Sequence, residues 1–439
     1  MTSLKFTRLL PILTIALSGA LACAGATGTS DAPAPAATSG SDAVTQAVQS
    51  ITPEDVQQRV AFLASDEMRG RATPSPELER AAQYLADEHE RFGLRPAGEE
   101  GYFQRFPLRA VALDTTTAHF GHILADGSGD QRLTYGEDFC ILPGGTGEGV
   151  GMSDARIVYV GQMSGDGLPT GEYVGTIPVV TVPGTLGRPW QMEVNRAREV
   201  AREAGAAAVA VVVSEEFPDA VFSRLAASAW SARNRLLGDP DTQQIPIFVL
   251  KPSAFGTIAD REGFNPAQAT AGAPVRFERV TAHFAGRTAI VEESFPPNVI
   301  AVLPGSDPEL RDEYIILSAH FDHVGVGEPV NGDSIYNGAD DNASGTVGLL
   351  EVAEALASLP ESERPRRSVA FLHVSAEELG LLGSQWYADN PTLPMEQTIA
   401  NINLDMISRN HPDSIVVIGK DYSSLGAVAD AVQQRHPEV

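Results

Sequence analysis

Cysteine is nearly missing from this chain. Only Cys23 and Cys140 occur in 439 residues, so no disulfide framework can be built. Positive charge is short as well. Thirty-one lysines and arginines stand against 57 acidic side chains, a net charge of −26. A surface of that sign repels phosphate backbones and excludes a nucleic-acid partner. It favours solubility and specifies nothing finer. The apolar run at residues 9–17 falls short of the ~20 residues a bilayer-spanning helix needs. The length itself allows two or three domains around a large core.

Residues 1–23 have a signal-peptide layout: Lys5 and Arg8, an apolar run, then small residues. Ala20-Leu21-Ala22-Cys23 resembles a bacterial lipobox, with Ala20 where leucine is usual. The resemblance implies lipidation of Cys23, export, and attachment to the cell envelope by that anchor alone. The plainer alternative is secretory cleavage nearby. Residues 24–50 are rich in Ala, Ser, Thr, Gly and Pro and are expected to be a disordered tether.

Beyond it, Thr52-Pro53-Glu54 opens a helix with a cap, a first-turn proline and first-turn acids. A second helix is expected over residues 76–92, closed by Gly93. The charged loop 65–71 between them is read as a structural link held by ion pairs. Residues 149–272 follow an α/β grammar of their own. Strands are predicted at 155–160, 177–182, 206–213 and 245–250, and a helix at 194–204 closed by Gly205. No cluster of metal ligands or nucleophiles falls there. The pattern resembles the protease-associated domain inserted in many peptidases, which implies covering or gating of an active site. The alternative is a scaffold without a role in selection.

Chemistry concentrates in residues 315–405. Four apolar runs each lead to a residue able to hold a metal. Residues 314–319 run into His320-Phe321-Asp322-His323. Residues 338–345 (GADDNASG) open an amphipathic run. Residues 369–376 run into Glu377-Glu378, and residues 399–404 into Asp405. Apolar, β-branched-rich runs of this length read as strands buried on both faces of an α/β sheet. Ligands collect at the carboxyl ends of such strands. Imidazole plus carboxylate without thiolate is the donor set of a catalytic zinc site. His320 is placed to ligate, and Asp322, two residues on, to orient its ring. Taken alone, Asp341 or Asn342 only caps a helix. Neighbouring extended residues point apart, so of Glu377 and Glu378 one can face a metal and the other a substrate. His373, inside its strand, reads as core.

These motifs, with Glu377-Glu378-Leu379-Gly380 and Asn403-Leu404-Asp405-Met406-Ile407, resemble the successive motifs of the co-catalytic zinc aminopeptidase family. The resemblance implies an α/β/α sandwich around a mixed sheet. Residues 51–142 would form its N-terminal part and residues 281–439 its catalytic part. It implies that His320 and Asp405 hold one zinc, that Glu378 holds the other, and that Asp341 bridges them. Glu377 would be the general base and peptides the substrates. Asp341 is chosen over Asp340 because the family's bridging aspartate stands three residues before the Ser-Gly pair, here Ser344-Gly345. The Asp341–Asn342 peptide is expected to be cis. The family's second zinc takes one more histidine, well beyond the Asp405 position. His411 and His436 are the only later histidines before Val439 and read as a loop residue and a helix end. A full-length chain would thus hold two zinc ions, with the second site incomplete in the sequence as given. Two other readings share the scaffold: a binding protein without activity, and a glutaminyl cyclase-like single-zinc acyltransferase. The five residues together oppose the first, and the intact Glu-Glu pair opposes the second.

Overall fold

In the computed structural model, three of the four apolar runs become adjacent parallel strands of one sheet. The structure describes residues 42–435 apart from 115, 143–149, 163–172, 185–186, 229–232, 237–244, 271–272 and 410–414. The signal-peptide and lipobox readings, and the first part of the tether, lie outside the described residues, as do His411 and His436. The last part of the tether is corrected. Asp42–Gln49 is helical, and its Ala47 is buried against Ala355 and Leu359. One apolar side of a short helix finds a partner far along the chain, which local composition does not reveal.

The two expected N-terminal helices form at Pro53–Leu63 and Pro76–Arg91. Thr52 and Ser75 cap them, their hydroxyls accepting from Asp55 N at 3.2 Å and Leu78 N at 3.0 Å. Between them lies the 65–71 loop, whose Arg71 is wholly buried.

The site-bearing sheet runs Arg95–Pro96, Pro297–Leu303, Ser368–Val374, Tyr314–His320, Thr398–Asn403, with Phe103–Arg105 also pairing with Pro297–Leu303. Pro297–Leu303 is antiparallel to Ser368–Val374, whereas the last three strands are parallel. The sheet is therefore mixed, as expected. One face, with Ala301, Ala319 and Phe371, packs on Leu349 and Ala353 of the helix Gly345–Ser358. The other, with Ile300, Ile316, Leu372 and Val374, packs on Tyr387 of the helix Leu382–Asp389. Each fully buried aliphatic or aromatic side chain contributes roughly 1.5–3 kcal/mol relative to an exposed one. The strands 297–303 and 368–374 are buried throughout. Thr398–Asn403 departs from the expectation. It is the sheet's edge, and Ile399 and Ile402 are exposed.

A second sheet has eight strands in the order Gln131–Arg132, His119–Leu124, Val275–Gly286, Val150–Gln162, Thr176–Val182, Val209–Val213, Ile247–Leu250, Phe139–Leu142. It is wider than residues 149–272, because strands from 119–142 and 275–286 pair into it. Those pairings are antiparallel and distant in sequence, so the local pattern does not announce them. Phe120, Phe139, Phe248 and Phe284 cluster on one face. Trp190 and Val194 of the helix Arg188–Glu203 cover the other. Cys140 is buried in this sheet, and burial pushes its thiol up to about 12. No helix among the described residues is long and apolar enough to cross a membrane.

Candidate metal centre

Because the three strands run parallel, their carboxyl ends lie along one edge of the sheet. Tyr314–His320 ends on His320. Ser368–Val374 leads through Ser375 and Ala376 to Glu377, and Thr398–Asn403 leads through Leu404 to Asp405. Asp341 arrives from the irregular turn that opens the helix Gly345–Ser358. The turn requires Gly338. Its φ is 63°, and a Cβ there would collide with the Asp341 carbonyl and the His323 ring. The Asp341–Asn342 peptide is cis.

Asn342 ties this turn to the edge strand. Its Nδ2 donates to Leu404 O at 3.0 Å, and its Oδ1 accepts from Gly345 N at 2.9 Å and Met406 N at 3.2 Å. Both neighbours of Asp405 are thus fixed. Asp340 faces elsewhere, with Oδ1 accepting from Ser408 N and Oγ.

Two donor groups result. His320 Nε2 lies 3.2 Å from Asp341 Oδ1 and 3.5 Å from Asp405 Oδ1. His323 Nδ1 lies 2.7 Å from Glu378 Oε1 and 3.9 Å from Asp341 Oδ2. Within each group the ligand atoms lie within 4.8 Å of one another, close enough to share an ion. Asp341 offers one oxygen to each group. Glu377 and Glu378 diverge, as neighbours in extended chain must: Glu377 Oε2 stands 3.9 Å from His320 Nε2, and Glu378 turns to His323. The structure thus brings together His320, Asp322, Asp341, Glu377, Glu378 and Asp405.

His323 is a further donor, beyond the residues expected from the sequence. The signal for it was its position three residues after His320 in the same strand-end loop. Asp322 is fully buried behind His320. The ring Nδ1 is 3.2 Å from the Asp322 carbonyl oxygen and 3.6 Å from its carboxylate. The Asp322 carboxylate also accepts from Glu377 N at 3.2 Å.

Electrostatics match the donor set. Burial works against a charged His320, but hydrogen bonds to Asp322 and Asp405 and the fields of Asp322 and Glu377 prevail, lifting its pKa to about 10. Surrounded by carboxylates, the imidazole holds a proton because the cluster demands positive charge. A metal dication supplies the same charge and takes the neutral imidazole as ligand. Nitrogen and oxygen donors without thiolate, in two groups sharing a carboxylate, fit a divalent cation in each. Burial raises the Glu377 carboxyl above the ordinary carboxylate range. His320 opposes that shift, and Asp322, Glu378 and Asp405 add to it.

Fold and donors together define an α/β protein with a metal-binding edge on its mixed sheet. Residues 298–437, the segment bearing both donor groups, match the model of Peptidase family M28, in line with the resemblance of the motifs. Leupeptin-inactivating enzyme 1 of Streptomyces exfoliatus is 30% identical over 206 residues, 45% of this chain and 44% of that protein. Aminopeptidase YwaD of Bacillus subtilis (strain 168) is 38% identical over 96 residues, 22% of this chain and 18% of that protein. The chain spans less than half the length of these curated relatives. Among solved structures, the aminopeptidase from Aneurinibacillus sp. strain AM-1 aligns over 83% of this chain and 72% of that one, with 20% identity and a TM-score of 0.43.

Proposed function

We propose that this chain is a zinc-dependent exopeptidase that removes N-terminal residues from peptides. One observation carries the reading: Asp341 extends its two oxygens into two separate imidazole–carboxylate groups. His320, Asp341 and Asp405 would hold one zinc, and His323, Asp341 and Glu378 the other. A zinc pair at this edge would polarise a scissile carbonyl and acidify a water between them. Glu377 would take that water's proton and return it to the leaving amine. Its placement favours this, since it faces the His320 group while its neighbour Glu378 turns to His323. Asp322 would keep the His320 ring in its ligating orientation. Aminopeptidase polarity draws support from a relative of that printed name.

Export, with anchorage at Cys23, is part of the same reading. Residues 149–272 would be a protease-associated domain covering the site, with a scaffold that plays no part in selection as the alternative.

The test is hydrolysis of an aminoacyl-nitroanilide by the full chain, with and without chelator. Chelation should abolish it and zinc restore it, with metal analysis run in parallel. Hydrolysis indifferent to chelator would overturn the reading, and cyclisation of an N-terminal Gln peptide would replace it with an acyltransferase.

A further inference from the structure

Thr73 lies 249 residues before Asp322, two residues past the 65–71 loop read from sequence as a structural link between two helices. Its side chain is buried between two arms of the candidate centre. The hydroxyl donates to Asp322 Oδ2 at 3.0 Å and accepts from Ala376 N at 3.1 Å. Asp322 backs His320, and Ala376 precedes the Glu377-Glu378 pair with a φ of 55°, a left-handed conformation costly for a residue with a Cβ. Such a conformation persists only where its surroundings enforce it, and the bond from Thr73 is one such restraint.

Arg71 does the same between the His320 arm and the Asp341 arm. Its guanidinium donates to Phe321 O at 2.9 Å, Asn337 O at 2.9 Å, Gly338 O at 3.0 Å and also to Leu63 O. Its own carbonyl accepts from His323 N at 3.3 Å. Phe321 sits between His320 and Asp322, and Gly338 leads into Asp341. Burial draws the guanidinium down to about 10 against the fields of Asp322 and Asp341, so it stays charged at neutral pH. A buried cation bonded to four carbonyls fixes those carbonyls strongly, since charge-assisted bonds are the strong ones.

We propose that Arg71 and Thr73 are positioning residues that clamp three ligand-bearing arms of the metal centre, those of His320, Asp341 and Glu377-Glu378, to one another. Thr73 locks the His320 arm to the Glu377-Glu378 arm through the Asp322 carboxylate. The inference rests on the metal-binding reading above and adds a part to it from outside the segment that carries the ligands. Outer partners of metal ligands act on affinity by about 10–100-fold. Thr73→Val keeps the shape of the side chain and removes both hydrogen bonds, whereas Thr73→Ser keeps the hydroxyl.

The experiment measures zinc affinity of the full chain by competition with a chromogenic chelator, alongside thermal unfolding of metal-free protein. Thr73→Val should weaken zinc by about 10–100-fold. Thr73→Ser should stay within about threefold of the parent. In a double-mutant cycle with Asp322→Asn, the two losses should fall well short of additive, because Thr73 acts through that carboxylate. Where Thr73→Val does not fold, Thr73→Ala against Thr73→Ser makes the same comparison. A parent that binds zinc while Thr73→Val binds it equally well overturns the clamp and leaves the metal reading intact. Additive losses in the cycle also overturn it. A parent that binds no zinc overturns both.

Discussion

Two histidines on adjacent strands of one sheet meet opposite fates. Ala319 pairs in register with His373, and His320 with Val374, so the two imidazoles sit one step apart and point to opposite faces. His320 looks into carboxylates, which lift its pKa to about 10 and suit it to a place beside a cation. His373 looks into the apolar face, where its Nε2 lies 3.0 Å from that of His89 and burial drives its pKa well below the ordinary value. His89 falls to about 3 for the same reason. One imidazole of the core pair donates and the other accepts, leaving each Nδ1 without a partner among the protein atoms. The residue type is the same and the depth similar. What decides between ligand and core is which face the register selects and whether acids lie beyond the strand end.

The contrast can be pressed at several points. Its largest expected break is His320→Ala, which should abolish chelator-sensitive hydrolysis and lower the zinc content by one ion per chain. His373→Ala should leave the zinc content unchanged. Next, Glu377→Gln should lower kcat by about 10²–10⁴-fold with zinc retained, since it removes the proton acceptor and no ligand. Full activity in that variant would remove Glu377 from the chemistry.

The core pair should report itself through acid stability. Folded His89 stays neutral down to about pH 3, whereas in the unfolded chain it charges near its ordinary value of 6.5. Between those limits the unfolded state binds more protons, so stability falls as pH drops through that window. The loss is on the order of 5 kcal/mol for His89 if the folded chain persists to the lower limit. Urea titrations at pH 7 and pH 5 should show a smaller acid loss for the double variant His89→Leu/His373→Leu than for the parent. An equal loss would place the acid sensitivity elsewhere. The smallest effects concern neutral pH. There His373→Leu alone should cost about 1–3 kcal/mol, because it strands His89 Nε2, and the double replacement should recover most of that.

The ligand-bearing edge was legible because each apolar run ends directly in its functional residue. A parallel arrangement then carries His320, Glu377 and Asp405 to one place without any further specification. Asp341 was legible only through the resemblance of its motif, since taken alone it reads as a helix cap. What escaped is whatever depends on contacts that the local pattern cannot carry. Thr73 and Arg71 find their partners about 250 residues away, and nothing in SDEMRGRAT distinguishes a clamp from a charged link. His323 stands in the strand-end motif with nothing local beyond its spacing from His320 to mark it as a ligand, and only the fold turns it toward Glu378. Asp42–Gln49 looked like tether because its single buried contact, Ala47, lies against a helix three hundred residues on.

Sharing Asp341 has a last consequence, for how the centre fills. An ion seated beside His320 engages a carboxylate that the neighbouring group also needs, and it places a double positive charge within a few ångströms of the next arrival. Loading should therefore proceed in sequence, with a tight first event and a weaker second, and a titration curve for this protein should bend twice.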